Sequence, residues 1–79
     1  MQEATITIDV RNMPHVADRP KKVSEALEQI EPGQYAEIVA DDERMLELAP
    51  KIVEQIGNAR FVKSWRGEDG FYRTLIEKK

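Results

Sequence analysis

Ile6, Ile8 and Val10 alternate with Thr5, Thr7 and Asp9. This period of two, rich in β-branched residues, predicts a strand from Ala4 to Val10 with one buried face. Beyond a loop, Val23, Ala26, Leu27 and Ile30 recur at helical spacing, and Pro20 suits an early position in a first turn. A helix from about Pro20 to Ile30 follows, ended by Pro32 and by Gly33, which tolerates a left-handed backbone. The short apolar run Tyr35 to Ala40 reads as an inner strand. Asp41 or Asp42 can cap the next helix, whose apolar stripe is Met45, Leu48, Ala49, Ile52, Val53 and Ile56. Pro50 interrupts that stripe. At an interior cost of roughly 3 kcal/mol, it predicts a short first turn, a kink or restart near Ala49, and a main helix from Pro50 to about Gln55. Gly57 and Asn58 close it. "ARFVKSW" and "FYRTLIE" are two strands, joined by "RGEDG", whose Asp69-Gly70 pair is a hairpin signal.

The order βαβαββ predicts an α+β two-layer sandwich. Each βαβ unit would be a right-handed crossover with parallel neighbours, a hairpin would close the sheet, and both helices would cover one face of a mixed four-stranded sheet. No repeat or linker divides the chain, so residues 1–79 are expected to form one domain.

The absence of cysteine changes the chemical picture most. It excludes disulfides, thiolate metal sites, iron–sulfur clusters and cysteine nucleophiles. Twelve Lys and Arg against fifteen Asp and Glu give a net charge of −3, which disfavours generic attraction to nucleic acid or anionic lipid. The start of the chain, "MQEATITIDV", has no basic region before an apolar core, and no apolar run approaches a bilayer span. A cytoplasmic location without membrane contact is expected.

Several features together resemble the TusA/SirA family over nearly the whole chain: the element order, "TITIDVRNM" before a Pro-containing loop, "EALEQIEPGQ", "IVADDE" and the closing "DGFYRTLIEKK". Asp9, Val10, Arg11, Met13, Pro32, Gly33, Asp41 and Asp42 match the family pattern, and Asn12 replaces its glycine. The resemblance implies the two-layer fold with a Cys-Pro-x-Pro motif at the start of the first helix. Counting from Asp9 puts His15 at the cysteine position, and counting back from Pro32 puts Val16 there. The family passes sulfur as a persulfide, which needs a thiolate that neither residue supplies. Pro14 and Arg19 are partly similar to a related branch of uncharacterised domains with an Arg-His-Pro element in that loop.

What remains by sequence is recognition. Arg11, His15, Arg19, Lys21 and Lys22 gather at the end of the first strand and the start of the first helix, where cations oppose the helix dipole unless an anion is near. They are the candidate binding residues for a protein partner or a small anion; the bland alternative is a solvated basic face with Asp18 as counter-ion. No catalytic residue, metal ligand or cofactor is assigned. His15 is the single histidine, without a nucleophile beside it in sequence, and pairs with Asp18 at no recognised metal spacing. An enzyme centred on His15 is one rival. The other is RNA binding through the helix-free sheet face, because strict alternation puts Phe61, Lys63 and Trp65 on one side, with Arg60, Arg66 and Arg73 among the aromatics. "DDERMLE" lacks the alternating ligands and glycine of a calcium loop.

Overall fold

The computed structural model describes residues 3–79. Its elements are β1 (Ala4–Asp9), a 3₁₀ turn (Val16–Asp18), α1 (Arg19–Leu27), β2 (Tyr35–Ala40), α2 (Met45–Ile56), β3 (Ala59–Arg66) and β4 (Tyr72–Lys78). The expected βαβαββ order is present, as a small α+β domain with a mixed four-stranded open sheet in the order β1-β2-β4-β3. β1 runs parallel to β2, and β4 runs antiparallel to both β2 and β3. The parallel-neighbour expectation therefore holds for the first crossover and fails for the second. β4 inserts between β2 and β3, where its N–H and C=O groups are paired on both sides, and this leaves β3 at the edge.

The core lies between sheet and helices. Ile8 and Val10, Ala36, Ile38 and Ala40, and Ile76 meet Val23, Leu27, Met45, Ala49, Ile52 and Val53. The inward positions alternate along the strands, so the β-branched pattern of the first segment acts as expected. The first helix is one turn shorter than its apolar spacing suggests. After Leu27 the ladder tightens, with N–H groups of Gln29 and Ile30 donating to the carbonyls of Ala26 and Leu27 at 3.1 and 3.2 Å. Ile30 still reaches the core.

The second helix corrects the reading of Pro50. It is one helix from Met45 to Ile56 with Pro50 inside it. Pro50 lies on the exposed side, so its missing N–H removes one ladder bond where water reaches the backbone. Burying Met45, Ile52 and Val53 gains roughly 1.5–3 kcal/mol for each side chain, which outweighs that loss. Asp42 serves the entry to this helix by accepting the Arg44 backbone N–H at 2.9 Å, although no side chain bonds the helix cap itself. Gly57 ends it in the left-handed conformation, φ 76°, its N–H donating to Val53.

A second correction concerns the sheet faces. In the β3–β4 register Phe61 faces Ile76 and Lys63 faces Leu75, so Val62 is one residue more than β4 can match. The bulge reverses the alternation. Phe61 packs against the core, whereas Lys63 and Trp65 turn to the helix-free face with Leu75 and Arg73. Among the described residues no helix is long and apolar enough to cross a membrane.

Candidate interaction site at the strand-to-helix end

One end of the molecule collects the ends of β1 and β2, the starts of both helices and the β3–β4 turn. The chain leaves β1 through Val10, whose N–H still bonds Val39 at 2.9 Å, and enters a loop fastened at several points. Asp9 accepts the backbone N–H of Arg11 at 2.9 Å and both Nε and a terminal nitrogen of its guanidinium, also at 2.9 Å. These bonds, Arg11's side chain first, hold the Asp9 carboxyl down at about 2, and the same contact raises Arg11. The Lys22 ammonium donates to the Asp9 carbonyl. Arg11 also stacks over the Phe71 ring, 4.8 Å from its centroid, joining the loop to the hairpin. Asn12 turns the chain at φ 63°, and its N–H donates to Asp41 at 3.2 Å.

Beyond this clamp, Met13 packs on the core while Pro14, His15, Ala17 and Asp18 stand exposed. The Asp18 N–H closes the 3₁₀ turn onto the His15 carbonyl at 3.0 Å. His15 precedes that turn and Val16 begins it.

The five candidate cations divide. Arg11 and Lys22 come together on Asp9. His15 and Lys21 are exposed, with no side-chain hydrogen bond or ion pair among the described residues. Arg19 points inward and is 2% exposed. Its guanidinium meets Met45 Sδ at 3.7 Å and Asp42 at 3.9 Å, and its Nε has no hydrogen-bond partner among the described residues. Asp42 is held more closely by Arg44, at 2.6 Å, and Arg44 is the first cause of its lowered pKa. Arg19 thus ties the two helix starts together beneath the surface. The sequence carried a sign of this: Arg19, Val23 and Leu27 are spaced by four and form one buried stripe. Asp41, Asn12 and Phe71 were not among the candidate residues, since their contacts join segments far apart in the chain.

On the helix-free face, Arg73 is bound by Glu37 at 2.9 Å and Asp69 at 2.7 Å, Arg60 lies 3.9 Å from Glu77, and Lys63 sits 5.1 Å over Trp65. Val39 and Leu75, each 4% exposed, are already covered. Two carboxylates already neutralise Arg73, which removes it as a contact for a phosphate backbone on that face. A shallow cleft of about 270 Å³ lies over Glu43, Arg44, Leu46 and Glu47, below the usual range for small-molecule sites. Among the described residues no three His, Cys, Asp or Glu side chains are grouped to hold a metal ion.

The fold defines the class: a small α+β domain with two helices and an open mixed sheet. No protein-family model matches the chain, and no curated protein matches it.

Proposed function

We propose that this chain is a non-catalytic binding module of TusA/SirA-like fold, acting in the cytoplasm, that engages a protein partner through the loop and helix start between Arg11 and Lys22. The observation that carries this reading is the clamped loop. With Asp9, Asp41, Lys22 and Phe71 fixing its base, Pro14, His15 and Ala17 are presented at little further cost in backbone entropy, which is what preorganised recognition requires. Lys21 adds a cation with no ion pair among the described residues.

A protein surface is favoured over a small free anion because Arg11 already has a carboxylate in place. A phosphate would have to compete with Asp9 at the effective concentration of an intramolecular group. Asn12 supports the resemblance at residue level: it stands where the family pattern has glycine, and it adopts the positive φ for which glycine is suited. Without a thiol at His15 or Val16, the family's sulfur transfer has no carrier atom.

The test uses affinity isolation from native extract with the wild-type chain and a Lys21→Glu variant, which leaves the clamp intact, followed by amide chemical-shift mapping with the isolated partner. Shifts within residues 11–22 and loss of capture by the variant are expected. Saturable shifts there with inorganic phosphate alone would replace the protein partner by an anion. Partner shifts confined to the opposite sheet end, or a turnover abolished by His15→Ala in a folded protein, would overturn the proposal.

A further inference from the structure

Among the described residues β3 ends the sheet, with β4 on one side and no strand on the other. Along that free side a row of backbone N–H and C=O groups lacks a sheet partner, a template for a further strand. Its charge is unusual for this molecule. Three of the chain's twelve Lys and Arg residues, and none of its fifteen Asp and Glu, lie within Ala59–Arg66. All three cations are exposed. Arg60 has one loose ion pair at 3.9 Å with its side chain 69% exposed. Lys63 has the Trp65 ring and no carboxylate, and Arg66 has no ion pair among the described residues. This contrasts with the strand-to-helix end, where Asp9 and Asp42 answer Arg11 and Arg44.

We propose that the free edge of β3 is a docking edge for an extended acidic peptide segment, which adds to the sheet as a fifth strand. Charge complementarity selects this occupant. Lys63 and Trp65 lie on the helix-free face and Arg66 on the other, so carboxylates three positions apart on the peptide would meet Lys63 and Arg66, which now face water, and the half-buried Trp65 offers an apolar contact to a residue between them. The same cations repel a second copy's β3, so they discourage self-pairing while leaving the edge open to an acidic strand. The bulge at Val62 breaks the regular ladder there, which places the docked segment along Lys63 to Arg66, beyond it. β3 and β1 are the opposite edges of the sheet, so a chain holding one protein at the β1–α1 loop and a second at β3 would act as an adaptor. The β3 proposal does not depend on the loop reading.

Amide chemical shifts and amide exchange of the full chain, titrated with a capped peptide in which two valines separate successive glutamates, test it. Expected are shifts along 63–66 and at the Trp65 indole, slowed exchange of edge amides, and weakening with salt. Lys63→Glu plus Arg66→Glu should weaken binding at least about tenfold. If that variant does not fold, Lys63→Gln should still weaken it about threefold. Equal binding of a lysine–valine peptide would overturn the proposal. So would shifts at β3 with oligouridylate but none with the acidic peptide, concentration-dependent self-assembly through this edge, or no shifts at all.

Discussion

Replacing Arg19 by methionine is expected to leave the fold at least as stable as the wild type and up to about 2 kcal/mol more stable, although it deletes a buried ion pair. The guanidinium is 2% exposed, and its nearest carboxylate oxygen, on Asp42, is 3.9 Å away. At an effective dielectric constant of about 20, that separation is worth roughly 4 kcal/mol. Against it stand a desolvation cost of several kcal/mol for the cation and a further 1–3 kcal/mol, roughly, for the partnerless Nε. Asp42 keeps Arg44 at 2.6 Å after the change, so no carboxylate is stranded. Methionine retains most of the stem that packs beside Met45. Arg19→Ala loses that volume as well and should lie about 2–3 kcal/mol below Arg19→Met. Urea and thermal denaturation measure both; in a domain of this size each kcal/mol moves Tm by roughly 4–8 °C. A loss of more than about 2 kcal/mol in Arg19→Met would refute the reasoning, because a well-paired buried ion pair costs roughly 3–5 kcal/mol to break. Charge reversal at Arg19 would bury a carboxylate beside Asp42, so Lys21 is the position at which to probe the surface.

Two further outcomes are expected. The folded-state pKa of Asp9 lies below its ordinary 3.8, at about 2, so its contribution to stability is fully present above about pH 4 and is lost as pH falls through about 2. Carboxyl-carbon NMR titration should give that midpoint, returning toward 3.8 in Arg11→Gln; a midpoint unchanged by the substitution would contradict the assignment to Arg11. Pro50→Ala restores the ladder donor at an exposed interior position of α2. Allowing for the greater freedom of the unfolded alanine chain, equilibrium unfolding should show a gain of about 1–2 kcal/mol, and an unchanged or lower value would mean that the ring has contacts of its own to lose.

The fold was largely legible because apolar periodicity and turn chemistry are local. Tyr35 to Ala40 forms the expected strand to the residue. Gly57 closes its helix at the expected place, in the left-handed conformation, and the Asp69-Gly70 turn places Gly70 at φ 85°. The errors arose where distant segments decide. Pro50 reads as a breaker from its own backbone, but the stripe from Met45 to Val53 gains enough on the sheet to carry the helix through it. Val62 is an ordinary strand residue until β4 is laid beside it, when the register leaves it over and sends Trp65 to the face away from Phe61. The position of β4 between β2 and β3 is likewise a property of the whole sheet.

The candidate site was legible as a place and illegible as chemistry, for the same physical reason. Sequence groups Arg11, Arg19, Lys21 and Lys22 as one basic surface because they are near in the chain. Their electrostatic state depends on carboxylates and burial supplied by other segments. Arg11 is neutralised by a residue two positions back and stacks on Phe71, sixty residues on. Arg19 is drawn beneath the surface by the stripe it shares with Val23 and Leu27. What survives at the surface is a clamped backbone with one unengaged lysine and an unengaged histidine, a poorer anion trap than the composition implied. It is also stiffer, and stiffness favours recognition of a shaped partner, since a loop that does not have to order itself on binding keeps the free energy of every contact it makes. On β3 the cations are close in the chain, no carboxylate stands on that strand, and among the described residues only Arg60 has even a loose one from its neighbour. That is the surface where local sequence and final electrostatics agree.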